Sequence, residues 1–409
     1  MKILHTADWH LGKRLHQFDL LEDQQKFLQW LLSFMIQEKI DLLLVAGDLF
    51  DTAYPPLAAQ ELYHNFLADA FKQSYPSQVI ITDGNHDGRA NLRVPKSLLK
   101  SLHTEVVCEL DQDLSKHLIP VEINGEKATI AAVPFLRDQD LRKSIAGTDD
   151  PAQAIREGIK NTYQEIANFA SSLPQPLIGM GHLYVQGISL NTEDAERPIQ
   201  MGHQAAVDSS YFPKDFHYVA LGHIHKAQKI SGEQEIHYSG SPYPLSFSEI
   251  KYEHQVKVIA VEEGKIISIT PVKTPAFKIL KRLKGSLEKI KEQATSLQSR
   301  DDGYLLEIAI EEPLYDPMTR TLADEWKHAF HKKQDFARII KTTIHFEQHS
   351  QNAAQLFRQQ HLKEDEFTAS KIFDKMLEES QADEALKQDL RNTFTQLNQN
   401  ILSEDYENQ

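Results

Sequence analysis

The 409-residue chain has a single cysteine, Cys108, and no long apolar segment. One cysteine excludes a disulfide within the chain and any cysteine-based metal cluster. No apolar run approaches the ~18 residues that a membrane-spanning helix requires. The N-terminal stretch MKILHTADWHLG is interrupted by His5, Asp8 and His10, so it does not fit the apolar core of a secretory signal. We therefore expect a cytoplasmic protein that does not enter a membrane.

Positive charge is also scarce, because 44 Lys and Arg stand against 59 Asp and Glu, for a formal net charge of −15. This balance argues against indiscriminate binding of nucleic acid by the whole surface. A local basic face or a metal-bridged phosphate site remains open. The chain also lacks the Walker A pattern GxxxxGK[ST], so any dependence on ATP must come from a partner. The length suffices for two or three domains with their own cores.

The first two-thirds of the chain alternates strand and helix patterns. Short apolar runs such as KILHT, IDLLLVA, QVIIT, PLIGM and HYVAL each end in polar residues. Between the early runs lie segments such as QQKFLQWLLSFMIQEK, whose apolar residues recur at helical spacing. This pattern predicts a layered α/β domain whose strands deliver polar residues at their carboxyl ends. Ligand sites of such sheets lie in the crevice beyond those ends.

The polar residues at these strand ends form five short motifs, namely DxH, GDxxD, GNHD, GH and GHxH. Carboxylates together with neutral imidazoles suit manganese, iron or zinc, whereas an all-oxygen set would suit magnesium or calcium. Residues two apart on a strand face the same side, so Asp8 with His10, and His223 with His225, could each face one site. The potential ligands are too many for one ion. They suit two ions about 3.5 to 4 Å apart that share a carboxylate. The candidate residues are Asp8, His10, Asp48, Asn85, His86, His182, His223 and His225.

Each motif alone has an ordinary structural explanation, because an isolated histidine at a strand end is more often structural than metal-binding. Five such motifs, all at strand ends, make coincidence a poor explanation. Asp51 and Asp87 remain ambiguous. A carboxylate beside a ligand histidine can fix its tautomer, but Asp is also common where a strand turns into a loop.

Motifs of this kind in this order resemble the calcineurin-like metallophosphoesterase superfamily. Their flanking segments, ILHTADWHLGKRL, VAGDLFDTAYPP, PFLRD, LGHIHK and YSGSPYPLSFSE, are similar to one branch of it, the SbcD nuclease subunits. That branch is the bacterial counterpart of the eukaryotic double-strand-break repair nuclease. The resemblance covers residues 1–271 strongly and the remainder in layout. It implies a metallophosphoesterase β-sandwich flanked by helices, followed by a small α+β capping domain and C-terminal helices.

The resemblance also implies a role for each matching residue. Asp8, His10, Asp48 and His225 would hold one ion, with Asp48 bridging to the second. Asn85, His182 and His223 would complete the shell of the second ion. His86 resembles the family's catalytic histidine, which contacts the scissile phosphate and helps to protonate the leaving oxygen. Asp87 is a weaker candidate for a supporting role behind these residues.

The segment 276–346 reads as strand, helix, strand, helix, strand, which predicts a compact α+β module. Pro271 and Pro275 indicate a linker before it. Its opening carries six cations against only Glu288, and these could form a phosphate-facing patch or an ordinary solvated helix face. In the resembled family this position holds the capping domain that orients DNA. The candidate DNA-binding residues are Lys281, Arg282 and Lys284.

The last segment, 362–409, is acidic and has apolar residues at helical spacing. Such stripes usually pack against their own domain. Because they follow a complete module here, the stripe with Leu390, Phe394 and Leu397 is a candidate partner-binding face. In the resembled family this region binds the coiled-coil base of an SbcC-type ATPase.

The sequence thus predicts a DNA nuclease subunit with two divalent ions, most simply Mn²⁺, in a bacterial, cytoplasmic and nucleoid-associated complex. The resemblance implies a homodimer within a heterotetramer that takes part in repair, recombination and replication. It also implies 3′→5′ exonuclease action on double-stranded ends and endonuclease action on hairpins or single strands. Two alternatives stay open at this point. One is a phosphatase or cyclic-nucleotide phosphodiesterase for small substrates, and the other is a non-catalytic scaffold.

Overall fold

The computed structural model describes residues 1–73, 75–93, 96–141, 151–188, 206–347, 373–374, 377–378, 384 and 386–395. Among these residues, no helix is long and apolar enough to cross a membrane. The strands in chain order are β1 (Lys2–Thr6), β2 (Arg14–Leu15), β3 (Phe18–Asp19), β4 (Leu42–Ala46), β5 (Gln78–Thr82), β6 (Thr104–Val107), β7 (Leu118–Ile123), β8 (Glu126–Ala132), β9 (Leu177–His182), β10 (Phe216–Gly222), β11 (Gln228–Lys229), β12 (Ile236–Tyr238), β13 (Gln255–Glu262), β14 (Lys265–Lys273), β15 (Ile279–Gly285), β16 (Tyr304–Glu312) and β17 (Ala337–Phe346). The helices are α1 (Leu21–Glu38), α2 (Leu57–Lys72), α3 (Arg89–Arg93), α4 (Lys96–Ser101), α5 (Asp138–Leu141), α6 (Pro151–Ala170), α7 (Leu287–Thr295) and α8 (Met318–Lys333).

Two six-stranded sheets form the first part of the molecule. Their strand orders are β14-β13-β1-β4-β5-β6 and β11-β12-β10-β9-β8-β7. Alternate residues of both sheets, such as Leu42 and Leu44 from one and Ile178 and Met180 from the other, meet in a common buried layer. Side chains that alternate across strands allow each sheet to bury its second face elsewhere. The predicted layered β-sandwich is therefore confirmed.

Helices cover the outer faces of this sandwich. Phe27 and Leu31 of α1 and Tyr63 of α2 are buried against the first sheet. Ile159 and Tyr163 of α6 are buried against the second sheet. Strands that are buried on both faces read as nearly continuous apolar runs, which explains the composition of LLLVA in β4.

Parallel pairing places the functional strand ends together. In the first sheet β1, β4, β5 and β6 are mutually parallel, and in the second sheet β8, β9, β10 and β12 are parallel. At the other side of β1, β13 pairs antiparallel, with Lys2 opposite Ala260. The carboxyl ends of β1, β4, β5, β9 and β10 lead directly into the loops that carry the five motifs.

Residues 276–346, here called the C-terminal module, form a three-stranded parallel sheet in the order β15-β16-β17. The helices α7 and α8 pack on one face of it through residues such as Leu287, Ile290 and Phe330. The predicted strand and helix order of this segment is confirmed. The linker prediction is wrong at one residue, because Pro271 lies inside β14. β14 is an edge strand, where a missing backbone N–H does not interrupt a ladder.

The opposite face of the module sheet contacts the sandwich domain through one apolar cluster. We call it the junction cluster; its buried members are Leu15, Leu20, Phe247, Leu280 and Leu305. Lys278 and Asp23 also face each other at this boundary, with Nζ and Oδ1 3.9 Å apart. The module is therefore seated on the β2–β3 hairpin and on the turn that carries Phe247.

Most of the predicted docking segment 362–409, including Leu397, lies outside the described residues. Residues 386–395 are helical. The ring of Phe394 stacks on that of Phe373 with centroids 4.1 Å apart, and Arg391 pairs with Asp374. Leu390 remains 38% exposed. The predicted apolar stripe is thus divided between a contact within the chain and an open position.

Candidate metal centre

Most of the candidate ligands follow the strands rather than lying on them, and the exception is His182, the last residue of β9. β1 ends at Thr6 and β10 ends at Gly222, so the prediction that strand alternation aligns Asp8 with His10, and His223 with His225, is wrong. Instead, the backbone turns sharply beyond each strand. Asp8, His10, Asp48 and His223 have φ values of 54°, 45°, 50° and 94°. Non-glycine residues seldom adopt positive φ, and such conformations cluster at functional sites.

Backbone hydrogen bonds hold the loops after β1 and β4 together. The amides of Asp8, His10 and Leu11 donate to the carbonyls of Gly47, Asp48 and Leu49 at 2.9–3.1 Å. Two carboxylates connect the loops after β5 and β10 to this pair. His86 N donates to Asp48 Oδ1, and His223 N donates to Asp8 Oδ1, both at 2.9 Å. Hydrogen bonds between the loops therefore hold the candidate ligands in place.

Glycine precedes Asp48 and Asn85 because no side chain fits there. A Cβ on Gly47, which has φ 84°, would lie 2.2 Å from His182 Nδ1. A Cβ on Gly84 would lie 2.1 Å from Asp48 Oδ1. Both contacts are far inside van der Waals distance, so the close approach of the loops requires glycine at both positions.

The donor atoms of the loops converge. Three overlapping sets have one ligand atom per residue, all within 4.8 Å of one another. They are Asp8 with His10 and His225, His10 with Asp48 and His86, and Asp8 with Asp48 and His182. Asp48 and Asp8 each belong to two sets. A carboxylate shared between neighbouring sets is the arrangement that a bridged pair of ions needs.

Four histidines of the centre share one orientation. In each, Nδ1 contacts an oxygen at 2.9–3.1 Å, which leaves Nε2 for the interior of the site. The acceptors are Asp51 Oδ1 for His10, the Asp51 carbonyl for His86, the Ala46 carbonyl for His182 and Glu249 Oε1 for His225. A carbonyl only accepts, so Nδ1 carries the proton and Nε2 offers its lone pair. The tautomer is thus fixed by the protein.

His223 is the exception. Its Nδ1 lies 3.1 Å from Asn85 Oδ1, and His182 Nε2 lies 3.1 Å from the same oxygen. Asn85, His182 and His223 therefore meet at one point. This is the trio that the family resemblance assigns to the second ion.

Buried polar atoms without partners test whether the centre fits metal ions. Three buried atoms of the centre neither donate nor accept a hydrogen bond, namely Asp8 Oδ2, His10 Nε2 and His223 Nε2. A buried polar group without a partner is costly, and such groups call for an explanation such as an ion or water. Two imidazoles, a carboxylate and the neighbouring donors match the chemistry of a borderline divalent cation. The residues therefore fit a metal site.

The pKa shifts of the buried groups also fit a metal site. Burial alone would raise the pKa of Asp48, but His182 and His10 hold it well below its usual range. Burial would lower the pKa of His182, yet Asp48 and Asp8 raise it to about 9. The pKa of His223 falls to about 3 because of burial and of repulsion from His182. The buried carboxylates thus favour positive charge inside the centre, which bound cations would supply.

The two ambiguous aspartates have distinct places. Asp51 contacts His10 Nδ1 at 3.1 Å and Lys13 Nζ at 3.0 Å, so it orients a candidate ligand. Asp87 accepts the amides of Leu49, Phe50 and Gly84 at 2.9–3.1 Å. It touches no histidine through these bonds. Its contribution is to hold the loop after β4 against the loop after β5.

One functional residue is missing from the sequence prediction. Glu249 is buried and contacts His225 Nδ1 at 2.9 Å, although 24 residues separate the two along the chain. The segment YSGSPYPLSFSE carries it, but nothing in the local pattern links its glutamate to a histidine. Only the resemblance of that segment could have drawn attention to it.

The predicted basic patch is dispersed by the fold. Arg282 shares a face of β15 with Leu280, which lies in the junction cluster, whereas Lys281 shares the other face with Leu283. Glu307 of β16 contacts Arg282 at 2.5 Å, and Glu311 contacts Lys284 at 2.8 Å. The prediction of cations opposed only by Glu288 is therefore wrong. The opposing carboxylates come from the neighbouring strand.

Comparisons with known proteins agree with this geometry. A family model described as calcineurin-like phosphoesterase matches residues 1–227, which include each candidate ligand and His86. The SbcD subunit of the SbcCD nuclease from Escherichia coli (strain K12) is 32% identical over 404 residues, 97% of both chains. The SbcD subunits from Rhodobacter capsulatus and Bacillus subtilis are 36% and 32% identical over 287 and 272 residues. Those alignments cover 67% and 65% of this chain, and 70% and 67% of the relatives.

Proposed function

The chain belongs to the calcineurin-like phosphoesterase family, in the branch of the SbcD nuclease subunits, and we propose that its strand-end loops hold two divalent ions for phosphodiester hydrolysis. It is a nuclease subunit and a metal-dependent phosphodiesterase. The observation that carries the proposal is the convergence of ligand atoms within 4.8 Å, together with three buried ligand atoms that make no hydrogen bond, one of which, His10 Nε2, lies 3.4 Å from Asp48 Oδ2. A non-catalytic scaffold has no need of so complete a set.

In this proposal Asp8, His10, Asp48 and His225 hold one ion. Asn85, His182 and His223 hold the other, and Asp48 belongs to both shells. Support comes from the 4.8 Å grouping of Asp8 with His10 and His225, and from the two 3.1 Å contacts at Asn85 Oδ1. Manganese is our proposed native ion, because mixed imidazole and oxygen donors suit a borderline divalent metal.

When bound, the two ions would lower the pKa of a water molecule, which makes that water the nucleophile, and would neutralise charge on the phosphate. The chain must then supply a proton for the leaving oxygen. His86 is the proposed donor. Its Nδ1–H donates to the Asp51 carbonyl, so His86 would act as the doubly protonated imidazolium, giving its Nε2 proton to the leaving oxygen on the side of His10 and Asp48 and becoming the neutral tautomer. Asp87 supports this step by accepting the amides of Leu49 and Gly84, which fixes the loops after β4 and β5 against each other beside His86.

We propose DNA as the substrate, with 3′→5′ action on double-stranded ends and endonuclease action on hairpins or single strands. The relatives are named as nucleases, which favours DNA over a small phosphoester. The C-terminal module is the proposed capping domain. Its seat on the β2–β3 hairpin brings Lys284 and Arg282 to the face that looks toward the sandwich domain. Contacts there would follow the phosphate backbone and would need no base-specific residues.

We also propose a complex with an SbcC-type ATPase, as the name of the E. coli relative suggests for that protein. Leu390 is the best-supported contact residue because it stays exposed in an apolar stripe. Phe394 and Leu397 are proposed with less direct support. A homodimer within a heterotetramer would have surfaces available in α2 and α4, where Leu57 and Leu98 are 69% and 60% exposed. The complex would act in the bacterial cytoplasm, at the nucleoid.

A cleavage assay on end-labelled duplex and hairpin DNA tests the nuclease proposal. The full chain is assayed with manganese, after chelation, and with or without the ATPase partner. We expect manganese-dependent cleavage that disappears on chelation. Hydrolysis of a small phosphodiester without any DNA cleavage would instead indicate a small-substrate phosphodiesterase. No hydrolysis of either, with no manganese bound, would indicate a scaffold.

Co-purification with the ATPase tests the docking proposal. Leu390→Asp should abolish it, and the thermal transition is measured alongside, because Leu390 is 38% exposed and its own chain covers the rest of it. Phe394→Asp should also disturb the stack on Phe373. Gln388→Asp is the control, since it adds the same charge at an exposed polar position. Full co-purification of the Leu390 variant would contradict the proposal.

A further inference from the structure

Glu249 is a buried carboxylate at the edge of the candidate metal centre. It ends the short 3₁₀ turn Phe247–Glu249 and is 4% exposed. Its Oε1 lies 2.9 Å from His225 Nδ1. We infer that Glu249 is a positioning residue of the nuclease reaction, which holds His225 in the one tautomer and orientation that can bind an ion. This inference rests on the proposed dimetal function.

Each oxygen of Glu249 has its own set of donors. Oε1 receives His225 Nδ1 and, at 3.2 Å, Ser246 Oγ. Oε2 receives the Leu245 amide at 2.9 Å and Ser241 Oγ at 3.4 Å. All four neighbours can donate, and an ionised carboxylate only accepts. The pocket is thus built for a carboxylate.

The donors explain why an amide could not substitute. In Glu249→Gln one terminal atom becomes an NH₂ group. If that group faces Leu245 N–H, two donors oppose each other. If it faces His225, the ring must accept at Nδ1 and carry its proton at Nε2. That proton would occupy the lone pair that otherwise faces Asp8 and His10.

The turn that carries Glu249 is itself held firmly. Phe247, two residues earlier, is buried in the junction cluster between the β2–β3 hairpin and the C-terminal module. His16 also stacks on its ring, with centroids 6.1 Å apart. The position of Glu249 is therefore fixed by packing outside the ligand loops. Carboxylates behind metal-binding histidines commonly contribute 10- to 100-fold in metal affinity.

A second Glu–His pair, at the start of β12, provides a control. His237 Nε2 contacts Glu235 Oε2 at 2.8 Å, and neither residue belongs to the groups of converging donor atoms. Glu235→Gln makes the same chemical change beside a histidine that binds no ion in our proposal. Metal affinity should therefore be unaffected by it.

Calorimetric titration of the metal-stripped full chain with Mn²⁺ tests the inference. We expect two sites in the parent. In Glu249→Gln one site should weaken about 10- to 100-fold while the other keeps its Kd. Glu235→Gln should match the parent. DNA cleavage by Glu249→Gln should recover when Mn²⁺ is raised by the same factor, because the residue acts through ion binding.

A double-mutant cycle separates positioning from general support of the fold. In the His225→Ala background, adding Glu249→Gln should change Mn²⁺ affinity by less than about twofold, since the histidine it orients is gone. An undiminished effect in that background, or parental affinities in Glu249→Gln itself, would overturn the inference. A parent that binds no Mn²⁺ would overturn the proposed function instead.

Discussion

The metal centre and strand β15 both concentrate charged side chains, but the fold treats them in opposite ways. At the centre, loops from both sheets bring carboxylates and imidazoles within 4.8 Å, and three buried ligand atoms make no hydrogen bond. On β15, alternation sends Lys281 to one face and Arg282 to the other, and Glu307 and Glu311 stand beside the cations. A dense run of charge in sequence thus becomes a site only where the backbone makes it converge. Otherwise it becomes a set of ion pairs.

Removing the shared carboxylate should produce the largest effect. Asp48→Ala is expected to lose both ions and all detectable nuclease activity, because Asp48 belongs to both proposed shells. His10→Ala should mainly weaken one ion. Metal content of the purified chains, measured by mass spectrometry, distinguishes the two. Two ions retained in Asp48→Ala would contradict the bridging role.

Removing the proposed proton donor should spare the ions. His86→Ala is expected to keep both ions and to bind DNA ends, yet to cleave roughly 100- to 10,000-fold more slowly in a single turnover. His217→Ala, at an exposed position of β10, is the control. His86 also lies within the donor group of His10 and Asp48. Loss of an ion in His86→Ala would therefore indicate that His86 is a metal ligand.

Charge reversal on β15 should have a moderate effect. The triple variant Lys281→Glu, Arg282→Glu and Lys284→Glu is expected to weaken DNA binding. The slope of log affinity against log salt concentration should become shallower by about 0.9 for each phosphate that is no longer neutralised. Hydrolysis of a small phosphodiester should not change. Lys281→Glu alone serves as the control, because strand alternation turns this exposed side chain away from Arg282 and Lys284. An unchanged salt slope in the triple variant would leave these residues as surface ion pairs only.

The smallest effect is expected at the boundary between the two regions. Burial raises the pKa of Asp23 to about 6, and Lys278 only partly opposes it. The folded-state pKa lies above the ordinary value of about 3.9, so ionisation of Asp23 destabilises the fold as pH rises from about 4 to 6. Asp23→Asn should remove this loss, with a gain of at most about 3 kcal/mol above pH 6.

Thermal unfolding at pH 4 and pH 7 checks the Asp23 prediction. We expect equal midpoints for parent and variant at pH 4, and a midpoint a few degrees higher for the variant at pH 7. Asp19→Asn, an exposed aspartate just before α1, is the control. A variant that is less stable at pH 7 would mean that the contact with Lys278 outweighs burial.

The sequence is informative where periodicity and strand ends decide the outcome. Apolar runs and helical spacing predict a layered α/β domain and the module, and the family resemblance implies that His182 and Asn85 share an ion with Asp48 although they lie far apart in the chain. Contacts set by backbone torsion or by neighbouring strands are not predictable in this way. Examples are the left-handed turns at Asp8 and His10, the Ala46 carbonyl behind His182, and the pairing of Glu307 with Arg282.

The antiparallel pairing of β1 with β13 has a consequence for biosynthesis. β1 emerges from the ribosome before β4 and can pair with it early, but its second partner lies beyond residues 47–254. At 5–20 residues per second, translation of that interval takes roughly 10 to 40 s. During this time an apolar strand has one open edge, which is a template for unwanted pairing. Nascent chains that stall before β13 should therefore depend on chaperones, whereas chains that have completed β14 should not.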